Sequence, residues 1–322
     1  MSMKWLRILA CSAVALLLIG TAHAQTVSII TTPAGSFSHS AGSAIARVLG
    51  EKAKLKGIVQ AQAKTGFEEV EAGTVELNVS NSFDATFFAT GTGEYEGQGP
   101  KKNIRHVAAL IPYRVAMHVR ANSDIRTMAD LKGKRVSSGF NAQKTIARII
   151  EAHLANAGLS YKDVVGVPAP NVVRQAEDFK SGKVDVLFFA LGSAAIKEAG
   201  ASVGGLRVLE INTAPEAIKR VQAILPGAYV MQVSPHPSLD GLTKPTNLVA
   251  FDMVMNGGAG VPEDVVYKVV KAIHENKKDL ASTFPPFALL SPEKMSKPSE
   301  GLTFHPGAVK FFKEVGLWPP KP

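Results

Sequence analysis

Short apolar runs alternate with amphipathic segments along nearly the whole chain. Residues 27–31 are rich in β-branched side chains and predict a strand. Residues 38–52 place Ala41, Ile45, Val48 and Leu49 on one helical face. Residues 58–63 and 75–79 predict the next two strands, with a short helix over 67–72 between them. Two further strands, 107–111 and 115–119, flank Pro112. The pattern then continues in the same kind. Residues 135–137 predict a short strand, and Asn141 suits the cap of a helix running to about Ala157, where Gly158 supplies a stop. A helix over 172–180 and a buried-type strand over 184–189 follow, then strands at 208–211, 229–233 and 248–255. Pro262 opens a helix reaching about His274, at a position where proline is tolerated. Strands alternating with helices predict an α/β architecture with largely parallel sheets.

The first 24 residues break this pattern. Lys4 and Arg7 precede an almost wholly apolar run over 8–19, and Ala22-His23-Ala24 places small residues where a signal peptidase reads them. This three-part layout predicts a secretory signal peptide over 1–24, with the mature chain starting near Gln25. The one cysteine of the sequence, Cys11, falls inside it. Most of the apolar stretch follows Cys11 rather than preceding it, which argues against a lipoprotein acylation site. A mature chain without cysteine has no disulfide and no thiol chemistry, and folds on its core alone. The formal charge of +9 is spread along 322 residues. No basic stripe with interleaved aromatics points to nucleic acid. A diffuse positive field steers small anions, and it equally serves solubility.

Four segments carry a family resemblance. They are Ala34-Gly35-Ser36-Phe37 after the first strand; Tyr95 to Arg105 running into Val107 to Leu110; Ala129 to Val136; and Phe304 to Glu314 near the C-terminus. Together they resemble the TAXI family of solute receptors that serve tripartite, TRAP-type transporters. The resemblance implies a two-lobed, type II-like periplasmic binding protein with the ligand in a cleft between α/β lobes. It implies a small carboxylate ligand, a TRAP-type membrane permease as partner and a periplasmic location. The corresponding division is lobe 1 over 25–113 and 232–322, and lobe 2 over 114–231. A monomer without cofactor or metal is expected.

A cleft that buries an anion must meet each of its oxygens with a donor, or desolvation wins. Strand ends that open helices offer such donors as free backbone N–H groups. The first candidate is the turn from Thr32 through Ser36 and Phe37, read as hydroxyl and amide donors with an apolar wall, against an ordinary N-cap. The second is Ser138, Gly139, Asn141 and Gln143; Ser138 and Gly139 match the resembled family's motif, whereas relatives carry small residues and a second glycine over 140–144. Asn81 and Ser82 form a polar pair at the same sheet edge, suited equally to ligand binding and to capping. Gly192 and Ser193 follow a buried strand. Tyr113 stands where relatives of the resembled family carry an acid, which favours a carboxylate without an amino group, such as a keto or aromatic acid. Arg114 beside it is either a bidentate carboxylate partner or a solvated surface charge.

Two other functions compete. Gly200-Ala201-Ser202-Val203-Gly204 matches the hydrolase G-x-S-x-G pattern, but a helix-like stretch precedes it and a strand follows, the reverse of a nucleophile elbow. The same fold would also serve a receptor that presents its ligand to a sensor kinase.

Overall fold

The computed structural model describes residues 25–320; the signal peptide expected over 1–24, with Cys11, lies outside them. Strand β1 (Gln25–Thr31) leads through a tight turn into helix α1 (Phe37–Lys52), which returns the chain to β2 (Leu55–Ala61), parallel to β1. The predicted face of α1 is the buried one: Ala41, Ile45, Val48 and Leu49 are solvent-free. Helix α2 (Phe67–Glu71) then delivers β3 (Leu77–Asn81) to the other side of β1, also parallel. Helix α3 (Ser82–Thr90) starts directly at the end of β3, and the glycine-dense stretch after it is a loop with one 3-10 turn at Gly93–Tyr95.

The two strands expected on either side of Pro112 are one strand of 17 residues, β4 (Ile104–Arg120). Proline lacks the N–H a central strand needs and is accommodated at bulges. The partner strand β10 (Thr246–Gly258) pairs Asp252 with Pro112 and then Val254 with Ala109, so the ladder skips register beside the proline. The missing donor falls in a local irregularity, and the strand carries on through it.

β4 and β10 run antiparallel to their neighbours, so the sheet is mixed rather than largely parallel. Its order is β2-β1-β3-β10-β4-β7, where β7 is Leu187–Ala190; β8 (Leu206–Val208) also pairs with β4, and β9 (Tyr229–Val233) with β10. Long strands therefore pass from the half built on β1–β3 into the half that holds β7–β9. In that second half β5 (Arg135–Gly139) and β6 (Val165–Ala169) form a separate parallel pair. Helices α4 (Thr145–Asn156), α5 (Val172–Lys180), α6 (Ala194–Ser202) and α7 (Pro215–Ile224) belong to it. The chain returns through α8 (Glu263–Glu275), α9 (Lys277–Thr283) and α10 (Pro306–Glu314). His305 caps α10, its Nδ1 accepting from the Gly307 N–H at 3.1 Å.

Helix α4 starts three residues later than a cap at Asn141 predicts. Phe140 takes a left-handed φ of 43° and buries its ring fully. Its N–H reaches Ala169 O at 2.8 Å and the Ala142 N–H reaches Pro170 O at 3.1 Å. Residues 140–144 are thus pinned to the end of β6, and Asn141 is left exposed in a turn. Ser202 lies in the last turn of α6 and donates to Glu198 O at 2.8 Å. No strand-to-helix elbow presents it, so the hydrolase reading has no structural basis. No helix among the described residues is long and apolar enough to cross a membrane.

Candidate functional site

Three helix starts of different origin meet at one small cavity. Helix α1 is capped by Ser36, whose Oγ accepts from the His39 N–H at 3.3 Å. The Thr32 hydroxyl donates to Ser36 Oγ at 2.8 Å and shares a 2.6 Å hydrogen bond with Ser38 Oγ. The N–H groups of Phe37 and Ser38, first and second in the helix, have no carbonyl four residues back to bond. They point outward at the positive end of the helix dipole. Ser36→Ala is expected to cost about 1 kcal/mol through loss of the cap, read as a lower urea midpoint at unchanged slope.

Helix α3 opens at Asn81, whose Oδ1 accepts from the Asp84 N–H at 2.8 Å. Asp84 is 3% exposed. Its Oδ1 accepts from Thr145 Oγ at 2.6 Å and from the Tyr95 hydroxyl at 3.0 Å. Thr145 is the first residue of α4, so one carboxyl of the first half holds a helix start of the second. Arg148, one turn further along α4, donates from Nε to Glu94 at 2.7 Å and lays its guanidinium 5.2 Å from the centre of the Phe87 ring. Burial pushes the Asp84 pKa up to about 6; the hydrogen bonds from Thr145 and Tyr95 offset only part of that, and nearby Glu94 and Glu68 add to it.

The cavity floor is set by a buried polar ladder. Asn256 of β10 pairs with Asn78 of β3 and donates to Asn78 Oδ1 at 3.0 Å and to Ser80 Oγ at 3.2 Å. Asn78 in turn donates to Thr65 O at 2.8 Å. This orients Thr65 and Ser80, both of which line the cavity. The walls are aromatic and aliphatic: Phe37, Tyr113, Phe188, Phe189 and Phe251, with Val115, Val172 and Ile149. Phe37 packs at 4.8 Å on Tyr113, which stacks at 5.4 Å on Phe251. The space measures about 40 Å³, where roughly 10–15 Å³ holds one water. Its lining contains no lysine, arginine or histidine. An anion there would be met by helix-terminal amides, hydroxyls and the side-chain amides of Asn81 and Gln143, with the Asp84 carboxyl also in the lining.

Six of the residues singled out from sequence line this cavity: Thr32, Ser36, Phe37, Asn81, Tyr113 and Gln143. The Gln143 Oε1 is already occupied, accepting from the Val172 N–H that opens α5 at 3.0 Å. The other seven lie elsewhere. Ser82 lines a separate surface cavity with Thr86 and Lys297. Ser138 sits against β6, its Oγ 3.1 Å from where a Cβ on Gly166 would stand, and Gly139 ends β5 in an exposed turn next to Asn141. Ser193 is buried and donates to Ala190 O at 2.7 Å. Gly192 (φ 82°) packs against Pro286, which a Cβ would approach to 3.1 Å. Arg114 is excluded from the cavity by strand geometry. Neighbours on a strand face opposite sides, and Tyr113 and Val115 face the cavity. Arg114 is buried on the reverse side, not solvated.

Sequence reasoning passed over Asp84, Thr65, Ser80 and the apolar walls. Asp84 did carry a signal: it is the one acid in the otherwise apolar and hydroxylic segment Ser82–Thr90, with no basic residue a turn away. The wall residues carried none, because an apolar strand facing a cavity has the same pattern as one facing a core.

Two α/β halves joined by crossing strands, with helix starts from both converging on a small enclosed space, define the fold of periplasmic solute-binding proteins. The sequence matches the NMT1-like family over residues 29–316, and the chain belongs to that family. Solved structures agree in fold. The periplasmic binding protein BugD is 11% identical, with 91% of this chain and 95% of that one covered at a TM-score of 0.59. MatC from Rhodopseudomonas palustris, solved with bound malate, is 12% identical with 91% and 97% covered at 0.57. The alkanesulfonate-binding protein SsuA from Xanthomonas axonopodis pv. citri, bound to MOPS, is 16% identical with 93% and 96% covered at 0.51.

Proposed function

We propose that this protein is an extracytoplasmic receptor that captures a small organic monoanion with a flat or aromatic body and passes it unchanged to a membrane permease. The observation that carries this reading is the first turn of α1. Two unclaimed amides and three hydroxyls face an aromatic-walled cavity that residues of both halves close. The carboxylate of the ligand sits on the amides of Phe37 and Ser38, and its body lies between Phe37, Tyr113 and Phe188, in a space of about 40 Å³ that must widen to admit it. A helix terminus offers about half a unit of positive charge. With no cationic side chain in the lining, a single carboxylate is matched better than a dicarboxylate such as glutamate or 2-oxoglutarate.

The bound solutes named for MatC and SsuA, malate and MOPS, are acids, which fits an anion. The resemblance to TAXI receptors supports a TRAP-type permease as the partner, and the leader-like residues 1–24 support export to the periplasm. The division into lobes follows the same reading: residues 25–113 with 232–322, and 114–231, hinge where β4 and β10 pass the Pro112 bulge.

Native mass spectrometry of the purified protein, followed by titration calorimetry, tests the proposal. Benzoate-type acids are expected to bind more tightly than 2-oxoglutarate or glutamate. Ser38→Ala should weaken the benzoate-type ligand roughly 10–100-fold through loss of a donor to a charged group. Glutamate binding tightest, or Ser38→Ala leaving affinity unchanged, would remove the reading.

A further inference from the structure

A second site lies on the reverse face of the strand that walls the cleft. Arg114 is 7% exposed, yet among the described residues its guanidinium has no ion pair, and its Nε is fully buried with no hydrogen-bond partner. A buried, uncompensated charge costs several kcal/mol in general, so an arginine left in this state calls for a counterion that the chain itself does not supply. Burial also draws its pKa below the usual arginine value. The side chain lines a cavity of about 440 Å³ between β9 and the turn Pro285–Leu289. Met231, Leu239 and Pro286 form apolar walls, Ser234 and His236 stand at polar positions, and no acidic residue lines the space. The Ser238 N–H donates to His236 Nδ1 at 3.2 Å, which leaves Nε2 as the ring nitrogen able to carry a proton toward a ligand.

We propose that this cavity is a second anion site, taking one carboxylate of a small organic acid on the Arg114 guanidinium. Geometry supports a carboxylate over a halide. The guanidinium presents parallel N–H groups that match two carboxylate oxygens, and the apolar walls accept an attached carbon body. The site is distinct from the cleft but touches the same machinery. Arg114 O accepts from the Leu191 N–H at 2.9 Å, Gly192 packs on Pro286, and Phe284, next to that turn, meets the Phe37 ring edge-on at 4.8 Å. An acid bound here bridges β4 to the 284–289 segment on the side away from the cleft.

The test uses the full mature chain, benzoate as probe and chloride at equal ionic strength as reference. The arginine Nε–Hε NMR signal that Arg114→Met removes identifies the residue. Benzoate is expected to move that signal saturably, and chloride to leave it in place. In chloride alone Arg114→Met should unfold at a temperature above wild type, since it deletes an unpaired charge; a gain of ~2–4 °C corresponds to each kcal/mol. Arg114→Lys keeps the charge without the fork and should bind the second benzoate about tenfold more weakly by calorimetry. Ser38→Ala, which acts on the cleft, should leave the Arg114 signal shift intact, so the two sites fail or stand separately. An Arg114 signal unmoved by benzoate, or moved equally by chloride, overturns the proposal. So does a second calorimetric site that survives in Arg114→Met.

Discussion

Asp84→Asn is expected to make the protein more stable at pH 7.5 and to flatten its stability between pH 4 and 7. The wild-type carboxyl is buried and titrates near 6 in the folded protein, against 3.8 for the free group. Between those values the folded state holds a proton that the unfolded state has released. Stability from this group is therefore complete below about pH 4 and is lost as pH rises through 6. A carboxyl that releases its proton about two pH units later in the folded state than in the unfolded one costs roughly 3 kcal/mol once ionised. Asparagine keeps an oxygen to accept from Thr145 and Tyr95 and carries no charge, so urea unfolding at pH 7.5 should show a gain of about 2–3 kcal/mol, vanishing at pH 4. A variant no more stable than wild type at pH 7.5 would falsify the desolvated carboxyl. The same titration reaches function. Asp84 lines the cavity, and once ionised it sets a like charge beside a bound carboxylate. Benzoate affinity should fall by up to about tenfold per pH unit above 6 in wild type and stay level in Asp84→Asn.

The second large effect is expected from Phe37→Ala, a loss of about 3–5 kcal/mol. The ring is 1% exposed and lies 4.8 Å from both Tyr113 and Phe284. It thus ties the start of α1 to the crossing strand β4 and to the segment that returns from α9. Truncation leaves a void between the cavity wall, β4 and the segment after α9, where the backbone has little freedom to collapse. Thermal unfolding should shift down by ~10 °C or more, at about 2–4 °C per kcal/mol. Phe37→Leu, which keeps most of the volume, should lose less than half as much. A loss under about 1 kcal/mol in the alanine variant would mean that the ring is not a packing centre.

Much of the first half was legible in the chain. The β1–α1 unit, the buried face of α1, the short α2 and the Pro262 start of α8 follow from apolar period and local stop signals, both short-range properties of the backbone. The Thr32–Ser36–Phe37 turn was legible for the same reason: a strand end followed by a helix start always frees amides. Errors came where pairing partners decide. Pro112 reads as a break until β10 supplies a bulge opposite it. Asn141 reads as a cap until Phe140 is drawn into the core and pins the following turn to β6. Arg114 and Tyr113 read as one site until they are placed on a single strand, where adjacent side chains cannot share a face.

The sequence by itself determined a subset of the elements, β1, α1, α2 and the helix opened by Pro262 among them, because these depend on side-chain periodicity and capping within a few residues. Only the tertiary structure decided that Asp84 and Thr145, 61 positions apart, meet, and that the cleft lining holds no cation while a buried arginine lies behind it. Those outcomes depend on which strand faces which layer, a property of long-range pairing that local pattern does not encode.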